Sequence, residues 1–339
     1  MEAVGPEPGI AVKTTDIFTI IIACLTTDAI LCCGRKSKSF SMSHPLLILS
    51  YGAPQRHEDV LPFLHNLFAG KNVPEQRIAD AVQKYERFAE KTGRYSPLNE
   101  ECRNLVEGIR QIDSGRPIYW GNLFWHPLLT DTVAKMRQDG IEQAVCFATS
   151  AFDSPAGNQR YADALMKAMD ANLPLIIEKV PLPFAEPLFI ESQADRLLEI
   201  PFANMPAPYL LFSAHSIPLA DAARSHYVEQ LQFSCRAVIE RLGIDIPWEL
   251  LYQSRSGLPT NWLGPDIKER IGQLATQKRY QSIIVSPIGF FCENMETQYD
   301  LDIEVSECCA TLGLSYHRAQ AVGALPKICQ MIAASLNEK

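Results

Sequence analysis

His215 lies in the run Ser213-Ala214-His215-Ser216-Ile217-Pro218, between small residues and closed off by a proline. Its ring cannot continue a helix and is expected to project from a loop. A neutral imidazole with an ordinary pKa of about 6.5 is the natural side chain to take up a proton around neutral pH. A second constellation is the acidic row Glu296, Asp300 and Glu304, with Glu293 ahead of it and Asp302 beside it. Four-residue spacing puts three carboxylates on one helix face, drifting by about 40° per step in α geometry, and a widening toward π geometry would also keep them aligned. Like charges stacked in this way raise one another's pKa values and cost stability unless they bind a cation or pass protons. Each feature alone has an ordinary explanation, a histidine held in a turn and a solvated helix face. HExxH, paired CxxC and EF-hand patterns are missing, so one histidine with a carboxylate row suits transient handling of a divalent ion better than a permanent structural metal.

The elements that must position these groups are legible from Leu46 onward, where short apolar runs alternate with helical patterns. Strands are expected at 46–50, 117–120, 143–149, 175–180, 209–213, 249–253, 282–286 and 314–317. Between them, apolar residues recur at helical spacing, for example over 127–138, 227–241 and 266–275. That alternation predicts an α/β protein with parallel sheets and crossover helices. Two halves are expected, joined near residues 155–187, where Pro181, Pro183 and Pro187 punctuate the chain. GxGxxG and GxxxxGK[ST] are missing, which argues against dinucleotide and P-loop chemistry. Three strands run into polar exits punctuated by Gly or Pro: Tyr51-Gly52-Ala53-Pro54, the His215 run, and Pro287-Ile288-Gly289-Phe290-Phe291-Cys292-Glu293-Asn294-Met295-Glu296. Ligands bind at the carboxyl ends of strands in open α/β sheets, so these exits predict one cleft between two lobes.

The chain has 339 residues, 47% of them apolar, and a net charge of −8. That length and composition support about two domains with an ordinary core, and the acidic balance disfavours a nucleic-acid partner. Ten scattered cysteines in a chain of this size read as reduced cytosolic thiols. No uncharged apolar run is long enough for a transmembrane span. The stretch from Ile17 to Cys33 contains Asp28 and several threonines and makes a poor signal peptide. Because Met42-Ser43-His44-Pro45 directly precedes the first strand, residues 1–41 are expected to be an extension outside the fold, with a peripheral membrane tether as the alternative.

Taken in order, several motifs resemble the ferrochelatase family over essentially all of 46–337. They are Ser50-Tyr51-Gly52-Ala53-Pro54, Ser96-Pro97-Leu98-Asn99, Trp120-Gly121-Asn122 with Trp125-His126-Pro127, and the His215 run. They continue with Tyr252-Gln253-Ser254-Arg255, Trp262-Leu263-Gly264-Pro265, and Glu293-Asn294-Met295-Glu296 leading into Leu301-Asp302-Ile303-Glu304. Each is weak alone; the ordered set is specific. The resemblance implies two Rossmann-like lobes, 42–158 and 159–321, enclosing a porphyrin cleft, with a C-terminal helix at 322–337 packing back on the first lobe. It implies insertion of ferrous iron into a porphyrin with release of two protons, in heme biosynthesis. His215 matches the family's catalytic histidine, and Glu296, Asp300 and Glu304 match its carboxylate row, so His215 and Glu296 are the expected catalytic pair and all four the expected iron-handling groups. Tyr51 matches a tyrosine that approaches the metal opposite the histidine in bacterial enzymes acting on coproporphyrin III, which is favoured over protoporphyrin IX. Ser96 is expected at a propionate, with Lys84 or Arg94 nearby.

The sequence departs from the family pattern in three places. Asn294 stands where the family usually has histidine, and an amide cannot act as a base. An insertion is expected over 90–94, before Ser96-Pro97. Asn158 sits near the position of an internal cysteine that holds a 2Fe–2S cluster in some relatives, and Cys329 is the only cysteine after Cys309. A cluster requires four thiolates, so none is expected, and iron enters only as substrate. A cytoplasmic monomer is the expected setting. Two other readings remain at this level: a non-catalytic tetrapyrrole carrier, which Asn294 favours, and a chelatase for another metal such as cobalt with a sirohydrochlorin.

Overall fold

The computed structural model describes residues 44–169, 175–255 and 261–336. The expectations for residues 1–41 lie outside the described residues. Eight strands among the described residues form two four-stranded, wholly parallel sheets. The first contains β1 (Leu46–Ser50), β2 (Ile118–Asn122), β3 (Gln143–Ala148) and β4 (Ile176–Lys179) in the order β2-β1-β3-β4. The second contains β5 (Pro208–His215), β6 (Trp248–Gln253), β7 (Ser282–Ser286) and β8 (Ser315–Arg318) in the order β6-β5-β7-β8. The α/β class read from the sequence is therefore the observed one. Every expected strand is present, with ends displaced by no more than two residues. Two differences matter. His215 ends β5 rather than standing in the loop beyond it, because β6 extends the ladder to pair His215 with Gln253. And β4 pairs with β3, so the first sheet runs to Lys179, past the boundary expected after residue 158.

The central strands β1 and β7 are buried along their whole length, as parallel strands covered on both faces must be. Crossovers are made by α1 (His57–Phe68), α2 (Glu75–Thr92) and α3 (Leu98–Ile112) after β1, α4 (Leu129–Gln138) after β2, and α5 (Arg160–Ala168) after β3. Helix α6 (Pro187–Leu198) leads into the second sheet, where α7 (Tyr227–Leu242) follows β5 and α8 (Ile267–Thr276) follows β6. The link from β7 to β8 is α9, an α turn Met295–Gln298, a π segment Tyr299–Val305 and an α end Ser306–Thr311. Helix α10 (Pro326–Ser335) closes the described chain.

One core joins the facing sides of the two sheets, with Phe147 of β3 and Phe291 of the segment after β7 at 5.3 Å between ring centroids. Helix α10 packs on both α3 and α6. The approach to α3 is close enough that a Cβ on Gly108 would stand 2.6 Å from Cys329 Sγ, which explains a glycine inside that helix. A separate cluster ties α1 and α2 to α9 through Val60, Phe63, Phe88, Met295, Tyr299 and Ile303. Two helices inserted after β1 thus grip the acidic helix that follows β7.

Candidate active site

Both sheets share one strand order, so each has a topological switch point between its first and third strands, the β1/β3 pair and the β5/β7 pair. That is where an open α/β sheet leaves a crevice at its carboxyl edge. The two crevices meet in one cavity of about 360 Å³. Ser50 and Tyr51 enter it from β1, Thr149 and Ser150 from β3, His215 and Ile217 from β5, and Gly289 to Cys292 with Asn294 from β7. The turn after β1 depends on Gly52, which has φ +76°; a Cβ there would stand 2.8 Å from Asn122 Cβ. Behind β7, the Gly289 N–H donates to Ser213 O at 3.0 Å, and a Cβ on Gly289 would meet Ala214 Cβ at 2.5 Å. The two exits of the second sheet are therefore packed backbone against backbone.

His215 Nδ1 stands 2.5 Å from Ser216 O, which fixes Nδ1–H as the donor and turns Nε2 toward Glu296 Oε1 at 3.4 Å. Burial pulls the imidazole pKa down, but the Glu296 carboxylate, by charge and hydrogen bond, outweighs it and raises the pKa to about 9. Glu296 shows the complementary effect: against burial, the imidazolium, Lys84 and Ser254 hold it down to about 2. At neutral pH the pair is thus imidazolium and carboxylate, not the neutral histidine expected from the sequence. The missing information was the facing carboxylate, eighty-one positions further along the chain.

The π segment of α9 keeps Glu296, Asp300 and Glu304 on one face, and each has a different partner. Asp300 is buried; burial raises its pKa although Lys84 Nζ lies 2.6 Å from its Oδ1. Ser254, held at φ +60° where few non-glycine residues sit, donates its hydroxyl to Asp300 and also hydrogen-bonds Glu296, bridging the two carboxylates. Glu304 pairs with Lys268 Nζ at 2.6 Å. Asp300 and Glu304 line a second cavity, of about 240 Å³, together with Lys84, Ser254 and Lys268. Among the described residues no three His, Cys, Asp or Glu side chains are gathered to hold a metal ion.

Across the main cavity, burial raises the Tyr51 pKa, while Arg160 donates a hydrogen bond to the phenol and partly offsets that rise. The Arg160 guanidinium also stacks over the Phe124 ring at 5.0 Å. A cavity lined by His215 and Tyr51, with Glu296 and the carboxylate row behind His215, is equipped to take protons from a bound molecule.

Comparison with known proteins decides the family. The chain matches the family described as "Ferrochelatase" over residues 44–339. It is 36% identical over 304 residues to a ferrochelatase of Rhodopirellula baltica, covering 86% of this chain and 85% of that protein. It is 39% identical over 311 residues to a coproporphyrin III ferrochelatase of Frankia alni, covering 86% of this chain and 79% of that protein. The chain belongs to the ferrochelatase family. It is accordingly a metal chelatase of the lyase type. Its fold is also like that of SirB from Bacillus subtilis, solved with Fe3+, at a TM-score of 0.57 and 11% identity over 88% of this chain and 95% of that one. That likeness concerns the fold alone.

The remaining sequence-picked residues of this ferrochelatase-family chain divide clearly. Asn294 lines the cavity, but its Oδ1 accepts from Thr297 N at 2.8 Å and Thr297 Oγ1 at 3.1 Å, the geometry of an N-cap on α9. Glu293 faces inward, accepting from Arg318 Nη1 and Ala321 N, both at 2.7 Å. Ser96 is not among the residues lining the cavity; its Oγ accepts from Leu98 N at 3.3 Å, opening α3. Lys84 is engaged with Asp300 and lies over the Tyr299 ring at 4.5 Å. Sequence reasoning singled out Ser254 only as part of a motif, without a role, and missed Lys268, Lys71 and Arg160. The last follows the β3 exit Ser150-Ala151-Phe152-Asp153-Ser154-Pro155, whose small and polar residues were the available signal.

Proposed function

We propose that this chain inserts ferrous iron into coproporphyrin III, releasing the two pyrrole protons. The observation that carries the reading is the His215–Glu296 pair at the β5/β7 switch point with the acidic row behind it. The curated relatives named coproporphyrin III ferrochelatase support the choice of porphyrin. His215 accepts a pyrrole proton through Nε2. It does so after giving up the one it carries, and an incoming divalent cation favours that loss by like-charge repulsion. The proton passes to Glu296 and, through the Ser254 hydroxyl, to Asp300, whose raised pKa makes it the better holder. Glu304 continues the path toward the second cavity. In this reading the same four groups, His215, Glu296, Asp300 and Glu304, handle iron in transit, and Tyr51 meets the metal from the opposite side. Asn294, Glu293 and Ser96 position the elements around the cleft.

Two lobes divide near residue 180 in this account, with α10 packing on α3. No resident cofactor is invoked: Asn158 hydrogen-bonds Asp153 at 3.5 Å and Cys329 packs on Gly108, so neither position suits a cluster ligand. A cytoplasmic monomer fits the bacterial relatives and the free thiols. No helix among the described residues is long and apolar enough to cross a membrane. The decisive experiment is anaerobic single turnover with ferrous iron. His215→Ala should slow metallation by about 10²–10⁴ while porphyrin fluorescence still reports binding. A variant that metallates near the wild-type rate contradicts the assignment.

A further inference from the structure

Arg318, the last residue of β8, lines neither cavity, yet its guanidinium reaches two carboxylates on separate parts of α9 and its approach. Its Nε and Nη2 donate to Asp302 Oδ1 and Oδ2 at 2.5 and 2.8 Å, a bidentate pair, and its Nη1 donates to Glu293 Oε1 at 2.7 Å. Glu293 directly precedes Asn294, the N-cap of α9, and Asp302 lies inside the π segment Tyr299–Val305. One side chain thus joins the end of β8 to the start of α9 and to its wide turn. Arg318 and Glu293 have side chains only 8% and 7% exposed, so water does not screen this tie as it does a surface pair. The wide turn has need of it. π turns are rare, and this one carries Asp300, Asp302 and Glu304. A four-residue step overshoots an α turn by about 40°, so in straight α geometry Glu304 would stand about 80° round the helix from Glu296. The π widening takes back that drift. Asp302, two residues from both Asp300 and Glu304, points to the opposite face of the helix. Arg318 therefore draws on the back of the segment, while Lys84, Ser254 and Lys268 meet the row from the front.

We propose that Arg318 is a positioning residue for iron insertion: by holding Glu293 and Asp302 it keeps Glu296 against His215, with Asp300 and Glu304 in line behind. This rests on the ferrochelatase reading of the main cavity. Arg318 meets no substrate and acts through α9 alone. Arginine suits the task, because its planar fork takes both Asp302 oxygens and leaves Nη1 for Glu293, which the single ammonium of a lysine cannot reproduce. A shift of about 1 Å at a reacting group, caused by a change far from the chemistry, costs on the order of 10²-fold in rate.

The test is kcat and KM for anaerobic iron insertion into coproporphyrin III by wild type, Arg318→Gln, Arg318→Lys, Asp302→Asn and the double variant Arg318→Gln/Asp302→Asn. Rates are expressed per porphyrin-binding site, counted by fluorescence titration, so that unfolded chains do not enter kcat. Asp302→Asn keeps the side-chain shape and leaves the buried Arg318–Glu293 pair intact, so it decides the question even where Arg318→Gln fails to fold. Asp302→Asn should lower kcat about tenfold and Arg318→Gln about 10²-fold, each with the porphyrin KM within about twofold of wild type. Arg318→Lys, which keeps the charge and loses the fork, should fall between wild type and Arg318→Gln. The double variant should be no slower than Arg318→Gln, because both changes break one tie. A kcat per site in Asp302→Asn equal to wild type overturns the proposal, as does a loss confined to KM. If wild type metallates no porphyrin, the ferrochelatase reading fails instead. Crystal structures of wild type and Asp302→Asn then decide the clamp: it stands if the asparagine variant loses the wide turn and the His215–Glu296 contact, and falls if both stay in place.

Discussion

Replacing Glu296 by glutamine should move the acid limb of kcat/KM to lower pH. A base works only when unprotonated, so turnover rises as pH climbs through the pKa of His215, and in kcat/KM that limb reports the free enzyme. In the wild type the limb is expected near His215's value of about 9. Glutamine keeps the shape and a hydrogen bond but removes the largest influence that raises the imidazole. Burial is then opposed mainly by the Ser216 carbonyl, so the pKa returns toward 6.5. The full displacement is 9 minus 6.5, but the His215 and Glu296 side chains keep 36% and 40% of their surface exposed. Water screens such a pair, and a displacement of about one to two pH units is the discounted expectation. The assay is anaerobic initial rate against pH, with the His215 ring followed by nitrogen-resolved NMR so that a slow variant still gives a pKa. A limb and a titration that stay in place in Glu296→Gln would refute the coupling. Stability carries the same signature. The raised His215 pKa stabilises the fold below 6.5 and loses that effect as pH rises through about 9. The lowered Glu296 pKa stabilises above 4.5 and loses it as pH falls through about 2. The denaturant-midpoint gap between wild type and Glu296→Gln should therefore be widest between pH 4.5 and 6.5.

Asn294→Ala should cost about 1 kcal/mol of stability through the lost cap, whereas Asn294→Asp should cost little, as read by urea unfolding. Asn294→His should change the rate by no more than about tenfold, or ~1.4 kcal/mol of barrier; activity appearing only in that variant would mean that the natural chain is a carrier. Gly289→Ala should destabilise by about 1–3 kcal/mol and impair metallation, because its Cβ meets Ala214 backbone and side chain; a fully active, equally stable variant would show that the β5 and β7 exits need not touch.

The sequence made the fold readable because strand and helix periods differ, and because buried parallel strands such as Leu46–Ser50 are short continuous apolar runs. The duplicated strand order was not readable: it lies in hydrogen-bond neighbours, and the two halves show no residue repeat. The acidic row was visible since its members are four apart, and the π segment that keeps them aligned needs only that spacing. His215's charge state was invisible, since it depends on a carboxylate brought close by the β7 exit. Asn294 looked like a loss by residue type alone; its capping role appears only once Thr297 is placed beneath it. The cations at the cavity were missed for a related reason, as Lys71 and Arg160 stand in unrelated segments that only the first sheet's crossovers bring together.

Anaerobic incubation of the full chain with ferrous iron and, separately, coproporphyrin III, protoporphyrin IX and sirohydrochlorin tests the central claim most directly. Absorbance spectra should show coproporphyrin III converted to its iron complex over repeated turnovers and faster than either of the others. Binding of all three with turnover of none, or turnover of sirohydrochlorin alone, would contradict it.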